Sequence, residues 1–87
     1  MAGSSPAKGT VNGFAVDPQN PMIMYVAMRD GLFKSMDTGA SWKRIGTELN
    51  NLAAVTIDPK NPNNVYVATT DGAIYVSDDT GIKWKKQ

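Results

Sequence analysis

The chain has 87 residues, nine of them basic and eight acidic, for a net charge of +1, and it contains no cysteine and no histidine. These counts exclude disulfides, thiol catalysis and the common soft-metal sites, and they leave no basic footprint for nucleic acid. A chain of this length holds one small domain at most, and a domain that small without staples is marginal, so further burial has to come from association.

The first ten residues, MAGSSPAKGT, contain no apolar segment and read as a flexible leader or tag-like remnant, not a secretory signal. Phe14-Ala15-Val16 is a short β-prone run that stops at Asp17-Pro18, because proline cannot donate to a ladder. DPQNP at 17–21 is a turn, and a second strand is expected over Met22 to Met28. Arg29-Asp30-Gly31 signals a hairpin, Leu32 to Ser35 a third strand, and a fourth begins near Trp42 after a Thr-Gly turn. The series then returns: Val55 to Ile57, DPKNP at 58–62, Val65 to Thr69, Thr70-Asp71-Gly72, Ile74 to Ser77, and a fourth strand near Trp84. Asp17 to Gly31 matches Asp58 to Gly72 at an offset of 41. One extra residue near Ala73 lengthens the second hairpin turn and moves the offset to 42, so that Trp42 answers Trp84. Lys83, Lys85 and Lys86 read as solvated strand-end residues. No stretch has sustained helical periodicity, and none is apolar for long enough to span a bilayer.

A repeat of this period is the mark of a repeat architecture, and each copy reads as a four-stranded antiparallel meander. The expected fold is all-β: a first propeller blade over residues 11–48 and a second over 49–87. Ile23, Tyr25 and Ala27 point to one face of the second strand, and Met24, Val26 and Met28 to the other. In the second copy Val65 and Val67 form one face and Tyr66 and Ala68 the other. Both faces are apolar, whereas a sheet with one wet face alternates, so each blade needs a neighbour on both sides.

The turns between third and fourth strands are Ser35-Met36-Asp37-Thr38-Gly39-Ala40-Ser41-Trp42 and Ser77-Asp78-Asp79-Thr80-Gly81-Ile82-Lys83-Trp84, both of the form S-x-D-x-G-x-x-W. This pattern resembles the Asp-box, or BNR repeat, of sialidases, sortilin-like receptors, xyloglucan-hydrolysing glycosidases and photosystem II assembly factors. The DPxNPxxxYVAxxDG context is most similar to the last two groups, and the resemblance covers about residues 11–87. The physical reading of the motif is structural. Asp37 and Asp79 accept backbone N–H groups across their own turns, Gly39 and Gly81 supply a position with positive φ, and the rings of Trp42 and Trp84 pack on the sheet. The resemblance implies the same structural role, away from any ligand. No D-x-D-x-D-G calcium spacing occurs, and neither metal nor cofactor is expected.

Sialidases are implied to need an arginine triad, and this chain has only Arg29 and Arg44. Xyloglucan-type hydrolases use two carboxylates on different blades, for which Asp30, Asp71 and Glu48 are the residues to examine; their plainer reading is as loop residues. In an up-and-down meander the DPxNP loops and Asp-boxes share one end. Arg29, Asp30, Thr69, Thr70, Asp71 and the link from Glu48 to Asn51 share the other, where a carbohydrate or protein would be presented. Closed propellers have about 4–8 blades, so two must be completed by the rest of a longer protein, by a different partner or by copies of the chain. Head-to-tail association of two, three or four copies is the expectation with the best physical support, because one blade interface can be reused between chains. The chain thus reads as a structural or binding module, natural, excised or engineered, with a polysaccharide-acting enzyme as the alternative.

Overall fold

Proline at position 18 ends the first strand where the sequence places the break, and the Asp17 carboxylate closes the turn that follows. The Gln19 and Asn20 amides donate to its Oδ1 at 2.8 and 3.2 Å. In the second copy the Lys60 amide donates to Asp58 Oδ1 at 2.9 Å. These turns belong to a computed structural model that describes residues 10–46 and 48–87. The leader expected over residues 1–10 lies outside the described residues, apart from Thr10.

Eight strands form in chain order: β1 (Val11–Val16), β2 (Met24–Met28), β3 (Gly31–Ser35), β4 (Lys43–Ile45), β5 (Leu52–Ile57), β6 (Val65–Thr69), β7 (Ile74–Ser77) and β8 (Lys85–Lys86). They make two antiparallel sheets, β1-β2-β3-β4 and β5-β6-β7-β8, each a plain meander. Strand bounds depart from the sequence reading in two ways. The second strand starts at Met24, not Met22, because the Asp17 amide donates to the Ile23 carbonyl and the Met22 amide to Asn20 Oδ1, which holds both residues in the turn. The first strand of each sheet extends upstream of the apolar triplet to Val11 and Leu52, through matching bulges between Val11 and Gly13 and between Leu52 and Ala54. Bulges of this kind admit residues of low β-propensity such as Asn12 and Gly13.

The hairpins differ by the one inserted residue. Met28 pairs with Gly31 around a two-residue turn. In the second sheet Thr69 and Ala73 enclose three residues, with the Thr69 amide donating to the Ala73 carbonyl at 2.9 Å and the Ala73 amide to Thr69 Oγ1 at 3.0 Å.

The sheets stack face to face along β1 and β5, with β2 also against β5. Gly13 makes this closeness possible: a Cβ there would stand 2.9 Å from Ala54 Cα and 3.0 Å from Val55 N. The core between the sheets takes Tyr25, Ala27 and Leu32 from the first and Leu52, Val55, Ile57, Val65 and Val67 from the second, with Leu49 of the link buried among them. A second cluster, Val26, Met28 and Phe33 covered by Trp42, lies on the far face of the first sheet. The alternation along β2 expected from the sequence is therefore the division between these two clusters.

Candidate functional site

The two S-x-D-x-G turns are built alike. Ser35 is buried, its Oγ donating to Asp37 Oδ1 at 2.8 Å and accepting the Gly39 amide at 2.8 Å. Ser77 does the same with Asp79 at 2.7 Å and the Gly81 amide at 2.9 Å. The carboxylates then accept amides further round the turn: Ser41 to Asp37 at 2.9 Å, and Ile82 and Lys83 to Asp79 at 3.1 and 2.9 Å. Gly39 and Gly81 have φ of 89° and 93°, and Thr38 and Thr80 both have φ of 62°, which places two successive residues in the left-handed region. Hydrogen bonds from Ser41, side chain then backbone, and from Ser35 hold the Asp37 carboxyl down to about 2. The Lys83 amide and the Ser77 hydroxyl lower Asp79 as well. Such groups are charged acceptors that close a turn; a general acid needs a raised pKa. The two tryptophans differ. Trp84 Nε1 donates to the Gly81 carbonyl at 2.9 Å and its ring packs on the core between the sheets, whereas Trp42 Nε1 is buried with no partner among the described residues.

The second of these turns also receives the first sheet. Tyr25 Oη donates to the Thr80 carbonyl at 3.2 Å, and Lys34 Nζ donates to the same oxygen at 3.2 Å while lying 5.5 Å from the Tyr25 ring centre. Burial, aided by the charge of Asp17, pushes the Tyr25 phenol up to about 12. Burial also lowers Lys34, against the opposing pull of Asp17. Where β1 meets β5, Asn12 Nδ2 donates to the Leu52 carbonyl at 2.9 Å. The mated surface therefore has an apolar centre and a small set of directed polar ties.

Two apolar faces stay open. On the first sheet, Phe14 pairs with Val26 and Val26 with Phe33, so the Val26 cluster continues to Phe14, which is 55% exposed. On the second sheet, Ala54, Thr56, Tyr66, Ala68 and Ile74 line a shallow apolar hollow of about 140 Å³, and Ile74 is 42% exposed. The register relates these faces to the mated ones. Tyr66 and Ala68 occupy the positions of Tyr25 and Ala27, and Val26 occupies the position of Val67.

At the opposite end from the S-x-D-x-G turns, the link ties the blades together: the Asn51 amide donates to the Arg29 carbonyl at 2.7 Å and the Thr70 amide to the Asn51 carbonyl at 2.8 Å. The five loop residues singled out in the sequence divide between two hollows here. Arg29, Asp30 and Thr70 join Asn12 and Asn51 around a cleft of about 570 Å³. Thr69 and Asp71 join Glu48 and Lys86 around a smaller one of about 90 Å³. Asp71 accepts the Thr69 hydroxyl, the main cause of its lowered pKa, and the Asp30 carbonyl accepts Arg44 Nη2 at 2.8 Å. Of the three carboxylates picked out in the sequence, Asp30 lines the larger hollow, and Glu48 and Asp71 share the smaller one with Lys86. No group of three metal-capable side chains forms among the described residues.

Sequence reasoning did not single out Asn12, Lys34 or Leu49. Tyr25 and Thr80 carried a signal, since each recurs at its equivalent position as Tyr66 and Thr38. Asn12 and Lys34 carried none, because Ala53 and Val76 stand at their equivalents.

No protein-family model matches the sequence, and no curated protein matches it. Solved structures do contain the fold. An ancestral GH74 enzyme superposes on 99% of the chain with a TM-score of 0.83 at 23% identity. The GH74 enzyme of Niastella koreensis superposes on 94% with a TM-score of 0.78 at 24% identity. YCF48 bound to a D1 peptide superposes on 87% with a TM-score of 0.66 at 20% identity. The chain spans only 13%, 12% and 25% of those three proteins, respectively. At these identities the likeness is one of fold: the two sheets are β-propeller blades.

Proposed function

We propose that this chain is a non-catalytic blade pair that assembles head to tail with copies of itself into a closed propeller, and serves as a structural or binding module. The observation that carries the reading is the equivalence of the faces. The open face of the second blade repeats the Tyr25 side of the mated interface, and the open face of the first blade repeats the Val67 side. A junction of this kind is heterologous, and two, three or four copies give rings of about 4, 6 or 8 blades. Uncovered apolar faces on both sides of a soluble chain are otherwise an aggregation liability. The S-x-D-x-G turns act as Asp-boxes here, as closures that carry no chemistry.

Two exposed positions test the head-to-tail arrangement. Phe14→Asp places a charge on the first-blade face and Ile74→Asp on the second-blade face, and both sites are exposed, so the fold is retained. Each variant alone is expected to be monomeric by light scattering. Mixed, they retain one intact pair of faces and form a one-to-one dimer that cannot close. A mixture that stays monomeric, or a single variant that still assembles fully, would refute the arrangement.

A polysaccharide-acting role is the second reading, favoured by the cleft of about 570 Å³ with its asparagines, threonines, Arg29 and Asp30, and by the likeness to GH74 enzymes. Activity on glucans that is lost in Asp30→Asn with Asp71→Asn, while assembly persists, would establish it in place of the module.

A further inference from the structure

Residue-by-residue transfer of the interface within the chain onto the junction between copies retains some ties and removes others. Tyr25 becomes Tyr66 and Thr80 becomes Thr38, and the two turns share the φ of both residues and the same backbone and serine hydrogen bonds, so the Thr38 carbonyl is the counterpart of the Thr80 carbonyl. Asn12, which reaches Leu52, becomes Ala53; Lys34, which reaches Thr80, becomes Val76. At the point of closest approach the roles reverse. Gly13 becomes Ala54, and the strand it faces becomes that of Gly13 in the next copy. A Cβ at Gly13 would stand 2.9 Å from Ala54 Cα, so at the same spacing the real Cβ of Ala54 would meet Gly13 Cα of the next copy at a distance that side chains do not tolerate.

Resting on the head-to-tail reading, we infer that the junction between copies is a loosened form of the one within the chain, latched by the Tyr66 hydroxyl on the Thr38 carbonyl of the next copy and held apart at the axis by the methyl group of Ala54. Ala54 is then the residue that sets how tightly copies bind one another. The wedge lies beside the inner strands and the latch lies at the outer turn, so the junction opens at the axis while Tyr66 keeps its reach. Two bonds fewer and one methyl group more make the ring exchange its subunits while each chain keeps its two blades together.

Native mass spectrometry of mixed heavy- and light-isotope chains reads the exchange directly. Relief of overpacking in Ala54→Gly is expected to slow exchange roughly fivefold or more, since affinity changes of this kind appear mainly in dissociation. Loss of the latch in Tyr66→Phe is expected to speed it by roughly fivefold. A glycine that acted only by weakening β5 would speed exchange and lower the melting temperature, so slowed exchange distinguishes the wedge from a structural effect. Wild-type rings whose exchange is unchanged or faster in Ala54→Gly, or unchanged in Tyr66→Phe, would overturn the inference and leave head-to-tail assembly standing. A wild-type chain that shows only monomers would overturn that assembly itself.

Discussion

Gly13→Ala probes the close backbone approach of β1 to β5. The new methyl group would stand 2.9 Å from Ala54 Cα, 3.0 Å from Val55 N and 3.2 Å from Ala54 C, all backbone atoms that no rotamer change can move aside. Ordinary carbon contacts begin near about 3.5 Å, so β1 and β5 would have to part by roughly half an ångström. Overpacking of this kind costs about 1–3 kcal/mol, and the smaller conformational entropy of unfolded alanine returns about 0.5–1 kcal/mol. A net loss of about 1–2 kcal/mol should lower the melting temperature by roughly 5–15 °C for a domain of this size. Circular dichroism melts at one fixed protein concentration read this without a shift from association. A variant that melts at or above the wild-type temperature would refute the stacking of β1 on β5 that the whole account rests on.

The tryptophans should not be equivalent despite their matching motifs. Trp84→Ala removes a ring from the core between the blades together with its bond to Gly81, and is expected to cost about 3–5 kcal/mol in urea denaturation. Trp42→Ala, which removes a buried indole N–H that has no partner among the described residues, is expected to cost less by the worth of that bond, about 1 kcal/mol; equal losses would contradict the tie of Trp84 to Gly81. The Asp37 carboxyl sits at about 2 in the folded chain, below the usual value of about 3.9, so its contribution to stability is complete above the usual value and lost as the pH falls through about 2. Between pH 5 and pH 2 the melting temperature of Asp37→Asn should therefore fall less than that of the wild type, and parallel curves would show that the carboxylate does not close the turn.

The fold was legible because each copy of the sequence states its strands and breaks in the same order. Asp-Pro ends a strand for a backbone reason, Asp-Gly turns a hairpin for another, and the agreement of two copies makes each weak signal count twice. The inserted residue near Ala73 went where such an insertion costs least, into the tip of a hairpin. The departures have local causes. Met22 and Ile23 are as β-prone as their successors, yet the hydrogen bonds of the Asp17 and Asn20 turn hold them outside the ladder. The β-prone run in the sequence covers only Phe14 to Val16, yet Asn12 and Gly13 before it form a bulge that serves the approach of the next blade. The polar ties between blades were the least legible part, since Asn12 and Lys34 act across distances of 40 and 46 residues and are not repeated. The division of the loop end into two hollows was not legible, since it depends on where the link runs between Arg29 and Thr70.

The mass of the wild-type particle tests the central claim most directly. Size-exclusion chromatography with light scattering at micromolar concentration should give one species at two, three or four times 9.4 kDa, the masses that correspond to whole even-bladed rings. A folded species that holds at 9.4 kDa across that range would contradict it.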